Sequence, residues 1–472
     1  MRVLLLNPRT DNMISTELPG YVAREVGVFP PLGLLYVAAY LRAHSGHAVR
    51  LLDMPAENCS YEELAERLRR DKPDLVGITG TTHNLLEVRR AADCVKAVLP
   101  GTAVCLGGPH VDAFPEESLA LASIDFACRG EGEQMFLALA NALAGNGGRE
   151  AIPGLIYRQD GRVVRNPPEE PTADLDSLPF PARDLVDPGR YYYVLGRPAA
   201  FTTLVSSRGC PFRCVFCSTP HGKHRARSAR NTVDEMEACL GSGAKEFHFV
   251  DDTINVIAGR LTAISEEILR RQLDVSWSCR ARVGDLGLAD LRVAKRSGCT
   301  RIHFGIETGT DEGLRQLRKG ISTEQVRQAV AWARAAGIST AAYFLIGCPH
   351  EKTRRDVMQT VDFACKINPD FAMFNILAIY PKTELFEMGI RKGLIEADTW
   401  RNFARDPRPG FQVRLWEEHF NRRELGRLAH AAYRRFYLRP SLLLRNLRQT
   451  ASWADLRRKL LAASGIIFGS RA

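Results

Sequence analysis

A chain of 472 residues, 45% hydrophobic and 25% charged, has the composition of an ordinary globular protein and the length for two or three domains. No apolar run reaches the length of a membrane-spanning helix, and the apolar start is broken too soon, at Pro8, to act as a secretory signal. The net charge of +10 is carried by residues 421–472, where twelve Lys/Arg stand against two Asp/Glu; no aromatics and glycines interleave there, which argues against nucleic acid as a partner.

Residues 1–145 alternate short apolar runs with amphipathic stretches. Strands are predicted at 3–6, 49–52, 75–79, 103–106 and 125–127, and helices at 34–44, 61–70, 86–98 and 133–143. Five βα units of this kind read as a doubly wound parallel sheet, which binds ligands beyond the carboxyl ends of its strands. The loops there are Asn7-Pro8, Gly80-Thr81-Thr82-His83, Gly107-Gly108-Pro109-His110 and Gly130-Glu131-Gly132-Glu133. Glycine in such loops lets backbone approach a ligand closely. No Gly-x-Gly-x-x-Gly follows the first strand, which disfavours a nicotinamide cofactor.

Residues 146–200 are punctuated by Asn146-Gly147-Gly148, Asn166-Pro167-Pro168 and Leu178-Pro179-Phe180-Pro181 around one hairpin at 154–165, and read as a linker. Tyr191, Tyr192 and Tyr193 are expected to pack on it. From residue 201 the βα alternation resumes. Strands are predicted at 203–206, 246–250, 275–279, 301–304, 340–346 and 372–378, with helices at 323–336 and 354–367 among those between them. Six such units suit a partial (β/α)6 barrel of TIM type, with its chemistry at the carboxyl ends of the strands. Those ends carry Asp251-Asp252, Arg280 with Arg282, Gly305-Ile306-Glu307-Thr308-Gly309, Gly347-Cys348-Pro349 and Tyr380-Pro381. The alternation stops near residue 385. Helices at 422–437 and 453–461 read as a basic cap over 386–472 or, in a sharper version, as interfacial helices drawn to anionic lipid.

Just after the first barrel strand stands Ser207-Arg208-Gly209-Cys210-Pro211-Phe212-Arg213-Cys214-Val215-Phe216-Cys217. Three thiolates so close in one loop can converge on a soft metal centre. His221 follows at a spacing that would complete a Cys3His zinc site, the ligand set of a non-catalytic binding module. The twelve cysteines overall predict reduced thiols and a cytoplasmic setting.

The spacing of Cys210, Cys214 and Cys217, with an aromatic residue, Phe216, before the last, resembles the cluster loop of radical S-adenosylmethionine (SAM) enzymes. The resemblance implies that the cysteines hold three irons of a 4Fe-4S cluster whose fourth iron is chelated by SAM. The lead-in Pro30-Pro31-Leu32-Gly33-Leu34 and the loops at 107–110 and 130–133 are similar to the cobalamin-binding domain that precedes the radical core in one large subfamily. From it follow Thr81, Thr82, His83, Gly107, Gly108, Pro109, His110, Gly130, Glu131, Gly132 and Glu133 as cobalamin-binding residues. It likewise implies Phe216, Asp251, Arg280, Arg282, Gly305, Glu307 and Gly347 as SAM-binding residues, with Glu307 on the ribose hydroxyls. Asp251 and Asp252 read equally well as solvated turn carboxylates. The chain departs from the subfamily at His350 and Lys382, where glycine is usual, and it lacks the Asp-x-His-x-x-Gly that supplies a lower axial histidine to cobalt in other cobalamin proteins. His83 and His110 are read as loop hydrogen-bonders. The activity implied is methyl transfer from methylcobalamin to an unactivated carbon of a small molecule, after hydrogen abstraction by a 5′-deoxyadenosyl radical. An electron donor such as flavodoxin or ferredoxin is implied with it. Oxidative cyclisation of a tetrapyrrole and radical rearrangement share the same features.

Overall fold

Two sheets of parallel βα units, joined by residues 166–200, carry the chain. The computed structural model describes residues 1–14, 27–193, 200–219, 222–440 and 442. In the first sheet the strands are β1 (Arg2–Asn7), β2 (Ala48–Asp53), β3 (Leu75–Thr79), β4 (Ala103–Gly107), β5 (Phe126–Cys128), β6 (Leu155–Gln159) and β7 (Arg162–Arg165). Their spatial order is β2-β1-β3-β4-β5-β6-β7. The first five are parallel, and β6 and β7 run antiparallel at the edge. The hairpin expected inside the linker thus extends this sheet, which runs to Arg165 rather than ending near residue 145. Reversal of strand order between β1 and β3 makes a switch point, where sheets of this order open a crevice for ligands.

The helices that flank this sheet start where side chains satisfy their first N–H groups. Ser60 and Glu63 form a reciprocal box that opens Tyr61–Asp71. Helix α1 (Leu32–His44) has no side-chain cap. It buries Leu34, Ala38, Ala39 and Leu41 against Val3 and Leu5 of the sheet and Phe136 of the neighbouring helix Gly132–Leu143.

The second sheet holds β8 (Phe201–Leu204), β9 (Glu246–Phe249), β10 (Ser276–Ala281), β11 (Cys299–Glu307), β12 (Ser339–Ile346) and β13 (Phe371–Ile376), all parallel and in that order. Alternate residues divide between its faces, so Phe247, Phe249, Trp277, Phe304 and Phe344 enter the hydrophobic core. The strand expected at 203–206 ends at Leu204, because Ser206 and Ser207 turn aside to bind Asp251.

Helix α2 (Arg422–Tyr437), opened by an Asn421/Glu424 box, lies along β13. The Phe374 N–H donates to the Tyr433 hydroxyl at 3.2 Å; the Ala372 N–H donates to the Tyr437 hydroxyl at 3.1 Å, and that hydroxyl donates back to the Ala372 carbonyl at 3.0 Å. The expected helical cap is therefore present, and its tyrosines satisfy the open edge of the barrel. Arg423, Arg427, Arg434 and Arg435 make its exposed basic face. The helix expected at 453–461 lies outside the described residues. Among the described residues no helix is long and apolar enough to cross a membrane.

Candidate active site

The carboxyl ends of both sheets face one another across the root of the cysteine loop. A cavity of about 270 Å³ opens there, lined from the first domain by α1 residues Leu32, Gly33, Tyr36 and Val37 and by strand-end residues Gly77, Thr79, Gly107 and Gly108. Gly130, Glu131, Gly132 and Glu133 complete that wall, and Val205 with Arg208 closes it from the barrel. A Cβ at Gly33 or Gly130 would meet no atom within 4 Å, so the cradle is open at both points. The volume lies near the lower end of ligand pockets and suits one portion of a large flat cofactor.

Of the eleven residues expected to bind cobalamin, Gly107, Gly108, Gly130, Glu131, Gly132 and Glu133 line this cavity. Thr81, Thr82, His83, Pro109 and His110 do not. His110 is fully buried, with its Nδ1 3.0 Å from the Thr82 hydroxyl and its Nε2 without a partner. Burial lowers its pKa to about 3, so the ring is neutral. His83 is half-buried against the ring of Tyr380 from the barrel, with centroids 5.3 Å apart. The carboxylates of Glu131 and Glu133 are engaged by Arg208 and Arg225 of the radical core, a use their motif did not reveal. Tyr36, Val37, Val205 and Arg208 were missed in the sequence because nothing local marks a residue that becomes functional only when two domains meet.

The cysteine loop is held at its root. Asp251, at the end of β9 and 1% exposed, accepts from the Ser206 N–H at 2.8 Å, from both serine hydroxyls at 2.9 Å and from the Ser207 N–H. The carboxylate expected among the SAM contacts is thus bonded to the loop root, three of its four bonds ending on Oδ1. Its pKa is raised by burial, against the pull of these hydrogen bonds. Arg260 adds a bond to the Ser206 carbonyl at 2.8 Å. Farther along, the Val215 N–H donates to Leu317 and the Val215 carbonyl accepts from Leu385. Cys214 is buried, while Cys210 and Cys217 are half-buried. Burial and the neighbouring Asp252 and thiol groups push the Cys210 thiol up. Among the described residues no three of His, Cys, Asp and Glu are placed to share a single metal ion. His221, the fourth ligand of the zinc alternative, lies outside the described residues.

The barrel's strand ends surround this loop. The Arg282 guanidinium stacks on Phe212 at 3.8 Å, binding strand β10 to the loop, while Arg280, one layer deeper, is exposed. Glu307 ends β11 in the left-handed region, with φ of 74°, where the register with β12 shifts. Its carboxylate accepts from Lys319 at 2.7 Å, and Lys319 lies 6.0 Å from the centre of the Phe216 ring. Gly305 makes room for this pair, since a Cβ there would stand 2.7 Å from the Glu307 carboxylate. Lys319 is a further residue that the sequence did not point to. Gly347 has a φ of 78° and faces Leu425 of α2, whose Cδ2 would lie 2.5 Å from any Cβ at that turn. The N–H groups of Gly347 and Cys348 donate to buried Glu351 at 2.8 and 2.9 Å. Of the two departures from the subfamily, Lys382 takes a φ of 61°, the conformation glycine would adopt, and His350 hydrogen-bonds Thr308 at 3.0 Å.

Comparison with known proteins agrees with this division. Residues 20–140 match the B12 binding domain family and residues 204–364 the radical SAM superfamily. The chain is 35% identical over 454 residues, 95% of each chain, to an uncharacterised methyltransferase of Pyrococcus horikoshii. It is 28% identical over 456 residues, 94% of this chain and 78% of the other, to the anaerobic magnesium-protoporphyrin IX monomethyl ester cyclase of Rubrivivax gelatinosus. Its fold superposes with a TM-score of 0.75, at 18% identity and over the whole of both chains, on the radical S-adenosylmethionine methyltransferase TsrM from Kitasatospora setae, solved with cobalamin and a 4Fe-4S cluster bound.

Proposed function

The chain belongs to the radical SAM superfamily, in the branch that carries a B12-binding domain, and from that premise we propose that it methylates an unactivated carbon of a small-molecule substrate. When bound, the cluster with SAM supplies the radical that removes hydrogen, and cobalamin supplies the methyl group. The observation that carries the reading is the shared cavity: Val205 and Arg208, at the root of the cysteine loop, line the same space as the loops of the B12-binding domain. Two reactive groups fixed on either side of one space turn a many-body encounter into an intramolecular step.

Within that reading Cys210, Cys214 and Cys217 are the cluster ligands. The match of residues 204–364 to the radical SAM superfamily favours the cluster, each thiolate taking its own iron, over zinc. Phe216, Arg280, Arg282, Gly305, Glu307 and Gly347 would contact SAM, and Lys319 would join them through its bond to Glu307. Lys319 fixes the position of that carboxylate, whose remaining lone pairs are available to ribose hydroxyls. The walls at Gly107–Gly108 and 130–133 would hold cobalamin; His110 is buried beside the Thr82 hydroxyl and off the cavity wall, in keeping with a chain that lacks an axial-histidine motif. An electron donor such as flavodoxin or ferredoxin, in a cytoplasmic setting, completes the scheme. Contact of the basic C-terminal segment with anionic lipid would involve residues beyond those described.

A second reading, oxidative cyclisation, is favoured by the similarity to the Rubrivivax cyclase across 94% of this chain. Anaerobically reconstituted protein, incubated with SAM, a reductant and a metabolite extract, separates the two. Methyl transfer releases 5′-deoxyadenosine and S-adenosylhomocysteine together, whereas cyclisation releases 5′-deoxyadenosine without S-adenosylhomocysteine.

A further inference from the structure

Ser207–Arg208 pairs antiparallel with Arg225–Ala226, which sets two guanidinium groups side by side on a short ribbon at the root of the cysteine loop. Arg208 donates to Glu133 at 2.6 Å and stands 3.3 Å from Glu131. Arg225 donates to both oxygens of Glu131, at 2.5 and 3.2 Å, and to the Thr172 carbonyl at 2.5 Å. All four side chains are less than one-fifth exposed, and the Arg208 guanidinium lies 5.2 Å from the centre of the Tyr36 ring on α1. Ion pairs so enclosed, the Arg225–Glu131 pair bidentate and Arg208 bridging both carboxylates, hold direction as well as distance.

Their place in the chain gives that rigidity a use. Arg208 is two residues before Cys210, and the loop root just before it is locked to the barrel by Asp251. Glu131 and Glu133 flank Gly132 on the cavity wall of the other domain. A short covalent path therefore leads from the first cluster ligand, through two ion pairs, to the wall of the B12 cavity.

We propose that the Arg208–Glu133 and Arg225–Glu131 pairs form a latch that fixes the separation and orientation of the two cofactor sites, with Arg208 as its principal positioning residue. The latch deepens the proposed methyl transfer and rests on that reading, because only a reaction using both cofactors needs their spacing held. It acts on the geometry between the two sites.

The test uses the reconstituted full chain holding cobalamin and the iron–sulfur cluster. Cobalt(II) and the one-electron-reduced cluster both carry unpaired spins, so pulsed dipolar electron paramagnetic resonance reads the distance between them without any substrate. Wild-type protein should give one narrow distance. In the molecules that hold both spins, Arg208→Gln, Glu133→Gln and Arg225→Gln, the last at a residue off the cavity wall, should each lose that single distance, and Arg208→Lys should restore part of it. The Arg208→Gln/Glu133→Gln double variant should be no broader than either single variant, since both remove the same contact. A narrow wild-type distance in Arg208→Gln, Glu133→Gln and Arg225→Gln alike would overturn the latch, as would loss of cobalamin or iron from Arg225→Gln. Failure of the methyl-transfer reading would appear separately, as absence of labelled product from wild-type protein whose distance is narrow.

Discussion

Asp251 binds four groups with two oxygens and contacts no open space. Replacing it by asparagine swaps one acceptor oxygen for a donor, and a buried polar group left without a partner costs about 1–3 kcal/mol. Asp251→Asn should therefore lower thermal stability and reduce the iron retained after reconstitution, measured per protein against Asp252→Asn; full iron content in Asp251→Asn would show that the loop root is held by other means. Alanine at Cys210, Cys214 or Cys217 should abolish reductive SAM cleavage and most bound iron, whereas alanine at Cys239, Cys279 or Cys299, all buried away from the loop, should leave both in place. Glu351 titrates in its own window. Burial raises its pKa to about 7, above the carboxylate's ordinary 4.5. A raised carboxylate pKa means that the folded state holds the proton more tightly, so its contribution to stability is complete below about 4.5 and declines as pH rises through about 7. Glu351→Gln, which stays neutral, should gain on wild type in melting temperature between pH 5.5 and 8; parallel curves across that range would contradict the assignment.

At the scale of elements, the clearest dependence is that of β13 on α2. Three backbone bonds at the open barrel edge end on Tyr433 and Tyr437. Tyr433→Phe with Tyr437→Phe would strand buried backbone groups, at about 1–3 kcal/mol for each one left unsatisfied, and should lower the melting temperature while sparing iron and cobalamin content. Aggregation should rise as well, since an uncovered strand edge invites pairing between molecules. Elements were legible in the sequence wherever one physical signal decided them. The run at 75–78 is free of polar side chains because β3 is central and covered on both faces, and the helix at 354–367 begins at a Thr353/Asp356 box. The hairpin at 154–165 was legible as a hairpin, but its place at the edge of the first sheet was not, because antiparallel addition after a proline-free turn leaves no mark that distinguishes a free hairpin from a docked one. The end of β8 was missed by two residues for a tertiary reason: Asp251, some forty residues on, takes the backbone of Ser206 and Ser207 out of the sheet.

For the whole molecule, the two sheets were readable one at a time and their junction was not. The cysteine loop and the glycine loops carry spacing that survives in one dimension. Arg208, Lys319 and Tyr36 become informative only when the strand ends they serve are brought together. The same limit explains why Glu131 and Glu133 were assigned to the cofactor alone: a loop that reads as a ligand contact also serves as the attachment point for the second domain. The central claim is that one small molecule, held where the sheets meet, loses hydrogen and gains a methyl group. Anaerobic turnover with SAM carrying a deuterated methyl group, followed by mass analysis of the products, tests it most directly. The account predicts a product heavier by one deuterated methyl group in place of hydrogen, accompanied by equal amounts of 5′-deoxyadenosine and S-adenosylhomocysteine. Steady release of 5′-deoxyadenosine with no label in any product would contradict it.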